Sequence, residues 1–288
     1  MRFLPLLLCV PLLAQQPRPG MARGALTPDA NMVNPIPARP SLFIEEMTWM
    51  EVRDALRAGK DTVIIAIGGV EQNGPYLAAG KHNYVLQATT VAIARKLGNA
   101  LIAPIVAFVP EGDITPPTSH MKYPSTISLR QSTFQALLTD IAESLQAHGF
   151  RRLILIGDSG GNQAGMKAVA EALSKKWVGG PAQIRFIPEY YDFYDSGALS
   201  KWLETQGIHE VDEGFHDNVA ITAMMMTVDP NTVRMEERRA RGKFSINGVP
   251  LDPADKTIAL GRKVVDYRAD FTVAAIQKAF AAKETNTK

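Results

Sequence analysis

The sequence predicts an α/β fold in three layers, a mostly parallel central sheet with helices on both faces. Three observations carry this reading. Short β-branched runs alternate with helical periods from Leu42 onward. The first run, Thr-Val-Ile-Ile-Ala-Ile, is apolar almost throughout, the pattern of a strand buried on both faces. The spacing between runs leaves room for a crossover helix, which parallel pairing requires.

In chain order, the spacing predicts a helix over 47–58 and a buried strand over 62–67. A helix over 84–97 follows, with Leu86, Val91, Ile93 and Ala94 on its packed face. A second strand is expected over 101–109 and a long amphipathic helix over 132–147. Leu-Ile-Leu-Ile at 153–156 reads as a third strand, followed by a Gly-rich turn and a helix over 164–176. A fourth strand is expected at 184–187, and one more helix over 254–282. No internal repeat is visible.

The chain has 288 residues, long enough for one large core without a second domain. With 31 basic and 29 acidic residues its formal charge is +2, and no basic block stands out, which excludes nucleic acid as an expected partner. Arg2, an apolar run over 3–13 and Ala14 describe a cleavable export signal over 1–14. That run is shorter than the roughly 20 residues a membrane span needs, so no stable span is expected after cleavage. Cleavage removes Cys9, the only cysteine, and the mature chain is expected in the periplasm or outside the cell without disulfides. Residues 15–40, rich in Pro, Gly, Ala, Asn and Gln, read as a flexible leader, and 41–288 as a single α/β domain.

In open α/β sheets ligands bind beyond the carboxyl ends of the strands. Three polar segments are expected there, 68–83, 111–126 and 157–163, and a fourth, 214–222, follows later. His82, His120 and His216 lie in them, and with Glu71 they are the candidate functional side chains.

The run from Gly69 to His82 holds Glu71-Gln72-Asn73-Gly74-Pro75. It resembles the creatininase (creatinine amidohydrolase) signature E-Q-H-G-P-H-L-P-L-G-T-D. Three later segments match in order. Ser119-His120-Met121-Lys122-Tyr123-Pro124-Ser125-Thr126 resembles H-x-x-F-P-G-T-I-S. Gly157-Asp158-Ser159-Gly160-Gly161-Asn162 resembles N-G-H-G-G-N. Gly214-Phe215-His216 and the residues to Thr222 resemble G-x-H-A-G-E-x-E-T.

This resemblance implies a creatininase-like fold and an amidohydrolase acting on a small, including cyclic, amide. It also implies a homo-oligomer and divalent metal, zinc or manganese, with no organic cofactor. The signature's ligands are only partly present. Glu71 matches, but Asn73 stands for a histidine, His82 for the bridging Asp and Ser159 for the third-motif histidine. Gly161 and Ile221 stand where the last Glu is expected. The expectation is a reduced metal site with Glu71 and His82 as ligands, His216 as proton shuttle and His120 lining the pocket. Two alternatives stay open. One is a catalytically silent relative that binds a ligand or serves assembly. The other is a metal-free serine hydrolase, since Gly157, Ser159 and Gly161 also satisfy G-x-S-x-G between a strand and a helix, with His216 as partner.

Overall fold

β-Branched side chains sit well on a pleated surface, and the Thr-Val-Ile-Ile-Ala-Ile run does so. In the computed structural model, which describes residues 28–281, it forms β1 (Thr62–Ile67), buried along its whole length. With it lie β2 (Ala100–Ile102), β3 (Arg152–Gly157) and β4 (Gln183–Phe186), all parallel, in the order β2-β1-β3-β4. Ile64 pairs with Ile102 on one side and Ile154 on the other, and Leu153 pairs with Ile184.

The helices are α1 (Trp49–Arg57), α2 (Lys81–Leu97), α3 (Gln131–Ala147), α4 (Gln163–Lys176) and α5 (Glu189–Asp195). They continue as α6 (Ala198–Thr205), α7 (Val219–Val228), α8 (Met235–Ala240) and α9 (Ala254–Ala281). Successive strand residues point to opposite faces, and the core divides accordingly. Val63, Ile65, Leu153 and Leu155 pack with Phe134 and Leu138 of α3 and Met166 of α4. Ile64, Ala66, Ile154 and Ile156 pack with Leu86 and Ile93 of α2 and Ala269 and Ile276 of α9. The three-layer α/β architecture expected from the sequence is the one observed. α7 is apolar apart from Thr222 and Thr227, with Val219 to Met226 buried, and lies against α9. A Cβ on Gly261 of α9 would overlap the carbonyl oxygen of Ala223, so glycine is what lets the two helices approach.

Two element boundaries differ from expectation by three residues or more. β2 stops at Ile102 instead of running to Val109, because Pro104 has no N–H to give the ladder. Beyond it, only isolated bridges persist, Ile67 to Val106 and Val109 to Ser128. α2 starts at Lys81, three residues earlier than expected, directly after Gly80. α9 matches the expected final helix up to the last described residue. The expected export signal over 1–14 lies outside the described residues.

The chain divides into two units after Ala38. The first, from residue 28 in its described part, consists of turns with local bonds such as the Asn31 amide to Asp29 Oδ1 at 2.9 Å. Among the described residues no helix is long and apolar enough to cross a membrane.

The topology fixes where the ligand crevice lies. After β1 the chain crosses through α2 to β2, and after β3 it crosses through α4 to β4 on the opposite side. The carboxyl ends of β1 and β3 therefore flank the switch point of the sheet.

Candidate active site

The loop after β1 carries Glu71 into the switch-point crevice. Asn73 holds the loop closed, its Nδ2 donating to the carbonyls of Glu71 (2.9 Å) and Ala78 (3.2 Å). Because α2 begins at Lys81, Lys81 and His82 both sit on its first turn, buried beneath that loop. Asp158 and Ser159 follow β3 directly. His120 comes from the segment after β2, and His216 from the loop before α7.

A continuous charged chain links these groups. Glu71 Oε1 lies 2.8 Å from His82 Nε2 and 3.3 Å from Lys81 Nζ. His82 Nδ1 lies 2.8 Å from Asp158 Oδ2, and Asp158 Oδ1 is 2.7 Å from Arg268 Nη2. Arg268, from the middle of α9, also donates to the Tyr194 hydroxyl (2.7 Å) and the Tyr190 carbonyl (2.8 Å). Its guanidinium stacks 3.7 Å from the Tyr190 ring.

Burial acts against each charge and the partners outweigh it. Burial pushes the Glu71 carboxyl up, but His82 and Lys81 hold it well below the usual carboxylate range. Burial and Lys81 push the His82 imidazole down, yet its bonds to Asp158 and Glu71 leave it above the ordinary histidine value. An imidazolium between two carboxylates uses both N–H groups as donors. Asp158 is pushed up by burial and held below its ordinary value by Arg268 and His82. Glu111 behaves differently. Burial first, and then the neighbouring Glu71 charge, push its carboxyl up to about 8. Its Oε2 accepts from Ser159 Oγ at 3.2 Å, and among the described residues no donor reaches its Oε1.

A third set of contacts faces solvent. His120 Nε2 lies 3.4 Å from Glu71 Oε2, and His216 Nδ1 lies 3.4 Å from Glu71 Oε1. The two imidazoles stack with centroids 4.8 Å apart. Gln72 lies beside both, its main-chain oxygen 3.3 Å from His216 Nδ1 and its Nε2 3.4 Å from His120 Nδ1. Burial and Lys81 push the His216 imidazole below its ordinary value, which favours the neutral form. One ligand atom from each of Glu71, His120 and His216 falls within 4.8 Å of the others. Donors about 2.0–2.2 Å from a tetrahedral zinc stand roughly 3.3–3.5 Å apart, which the two 3.4 Å contacts of Glu71 match, so these residues are the candidates to hold one divalent ion. They do not fit a second, since Asp158 is committed to His82 and Arg268.

These groups line a cavity of about 820 Å³ that opens between the loops, with Glu111, Ser159 and Tyr191 on its wall. The structure brings together Glu71, His82, His120, Ser159 and His216, all singled out in the sequence. It gives them different neighbours from those expected. His82 has both nitrogens occupied by carboxylates, and His120 and His216 are the histidines that meet Glu71 with a ligand's spacing. Ser159 donates to Glu111 and, among the described residues, bonds no histidine. Sequence reasoning missed Lys81, Glu111 and Arg268. The structure shows why Glu111 was missed at Gly161. A Cβ there would overlap the Pro110 carbonyl, so no side chain fits at 161 and the carboxyl beside it arrives from the opposite loop.

A family profile described as creatinine amidohydrolase matches residues 45–276. The chain is 25% identical over 198 residues to the creatinine amidohydrolase of Pseudomonas putida, spanning 68% of this chain and 75% of that protein. It is 25% identical over 123 residues to the 3-dehydro-scyllo-inosose hydrolase of Thermotoga maritima, 42% of this chain and 37% of that protein. A crystal structure of creatinine amidohydrolase superposes with a TM-score of 0.57 at 21% identity, covering 85% of this chain and 98% of that one. Solved creatininases of the same fold include a Zn-Zn form and an Mn form. The match of the profile across most of the chain, over the same segments that build the crevice, makes this chain a member of the creatinine amidohydrolase (creatininase) family.

Proposed function

We propose that the chain hydrolyses the C–N bond of a small amide in the switch-point cavity, using one zinc or manganese ion held by Glu71, His120 and His216. The observation that carries this reading is the spacing of those three ligand atoms at the cavity wall. Three protein ligands with an open position is the arrangement of catalytic rather than structural sites. When bound, such an ion polarises the amide carbonyl and lowers the pKa of water beside it. The chain's own residues do the rest. Asp158 and Arg268 fix His82, and His82 fixes Glu71, so the ligand carboxylate is oriented before any substrate arrives. Glu111, on the same wall and with its carboxyl pushed up to about 8, is the group positioned to pass a proton to the leaving nitrogen.

The test is elemental analysis of untagged protein prepared without chelators, followed by a screen of linear and cyclic amides for released amine or carboxylate. About one ion per chain is expected, with affinity lowered about tenfold or more in His120→Ala and His216→Ala. Protein that takes up no zinc or manganese sinks the metal reading. A second reading, a pocket that binds its ligand without hydrolysing it, is favoured by one observation: Glu71 is already partnered by His82 and Lys81. Tight binding of an amide with no turnover in metal-loaded protein would select it.

Export and assembly belong to the same proposal. The apolar run after Arg2 supports cleavage near Ala14, and amino-terminal sequencing of periplasmic protein starting at Met1 would refute it. A homo-oligomer is expected by light scattering, and a monomer at micromolar concentration refutes it.

A further inference from the structure

The side chain of Lys81 is 2% exposed, and its Nζ reaches Glu71 Oε1 at 3.3 Å and the His216 carbonyl at 3.5 Å. An ammonium so enclosed, touching the main chain of one candidate ligand and the carboxylate of another, is a charge placed inside a cation site. We propose that Lys81 is a built-in cation that restricts this site to a single, weakly held divalent ion. The inference rests on the reading of Glu71, His120 and His216 as ligands and deepens it.

The geometry gives the reason. Glu71 Oε1 faces Lys81 Nζ on one side and His216 Nδ1 at 3.4 Å on another. A metal ion held by Glu71 and His216 draws on the oxygen that the ammonium already neutralises. The two cations then stand only a few ångströms apart, and because the ammonium itself is buried, water screens their repulsion from the cavity side alone. On the far side His82 occupies the same oxygen and also reaches Asp158, filling the space in which a second ion would bridge two carboxylates. Lys81 cannot swing away, because the first turn of α2 and the loop from Glu71 to Ala79 enclose it. The Glu71 amide donates to the Ala79 carbonyl at 3.0 Å and the Lys81 amide to the Ala78 carbonyl at 3.2 Å.

The test is calorimetric titration of zinc chloride and of manganese chloride into the full chain, stripped of metal, as wild type, Lys81→Met, Lys81→Arg and Glu71→Gln. Lys81→Met keeps the length of the side chain and removes its charge. Its Kd for the ion is expected to fall about tenfold or more, a change of about 1.4 kcal/mol. Lys81→Arg keeps the charge and is expected to stay within about threefold of wild type. Unchanged or weaker binding in Lys81→Met, alongside measurable binding in wild type, overturns the role of Lys81 and leaves the cation site standing. Equal tightening in Lys81→Met and Lys81→Arg overturns it too, since the effect is then steric. Absence of binding in every protein, Glu71→Gln included, overturns both readings. Should the Met variant fail to fold by circular dichroism, Lys81→Gln replaces it. Independently of any variant, two ions per wild-type chain in elemental analysis refute the proposal.

Discussion

Replacing Arg268 by methionine tests the charged chain at its deepest point. The guanidinium is fully buried and makes three short bonds, to Asp158 Oδ1, the Tyr194 hydroxyl and the Tyr190 carbonyl. Methionine fills much of the same volume and makes none of them. Asp158 Oδ1 keeps only the Tyr194 hydroxyl at 3.4 Å, a long bond for a buried carboxylate. Removing one partner of a buried ion pair costs about 3–5 kcal/mol, because the other charge is left uncompensated. For a folded body of this size each kcal/mol moves Tm by about 2–4 °C, so a fall of about 6–20 °C is expected. Urea unfolding followed by circular dichroism measures the free energy directly. Its pH dependence identifies the cause. Asp158 is held below its ordinary value in the folded chain, so its contribution is present above the usual carboxylate range and lost as pH falls through the folded value. Without Arg268 that folded value rises, and acid unfolding should begin at higher pH. Adding Asp158→Asn to Arg268→Met should recover stability, with a coupling of about 1 kcal/mol or more. A loss under about 1 kcal/mol in Arg268→Met, typical of an exposed pair, together with an unmoved acid limb, would refute the reasoning.

Glu111→Gln should flatten the stability profile between about pH 5 and 8. The folded carboxyl titrates at about 8 against about 4.3 unfolded, so wild type is relatively most stable below the unfolded value and loses that advantage as pH rises towards 8. An unchanged slope in the Gln variant counts against a buried neutral carboxyl. Gly261→Ala should destabilise by about 1–3 kcal/mol by chemical denaturation, because the new methyl meets the Ala223 backbone and the helix-propensity gain of about 1 kcal/mol does not offset that. Stabilisation instead would mean that α7 and α9 part easily. Ser159→Ala should leave amide hydrolysis within about threefold of wild type, since its hydroxyl serves Glu111 and no histidine. Abolished turnover with intact metal uptake would revive the serine mechanism.

The four strands, α1 to α4 and α9 were legible because their signals are local, whereas α5 to α8 were not expected. The β1 run is β-branched at every position but Ala66, and the faces of α3 and α4 repeat at helical spacing. Glu71, His120 and His216 were legible because they sit in loops beyond strand ends, where a motif can be recognised. Their pairing was not. Which histidine faces Glu71 at a ligand's spacing depends on α2 starting at Lys81, which turns His82 inward to Asp158, and no spacing in the sequence announces that turn. Arg268 looks like any basic residue on an amphipathic helix, and only the packing of α9 against the sheet makes it the counterion of Asp158. Glu111 was hidden for a similar reason, since the carboxyl comes from the β2 loop to a place where the family pattern points at 161.

The Arg268 to Asp158 pairing also sets an order of events during synthesis. Asp158 leaves the ribosome 110 residues before Arg268, counting from 158 to 268. At about 5–20 residues per second that is a wait of roughly 5–20 seconds. Through that interval β1, β2 and β3 are all available, yet the carboxylate at the end of β3 has no guanidinium to be buried against. A nascent chain can gather its strands early, but the crevice closes only when the last helix arrives.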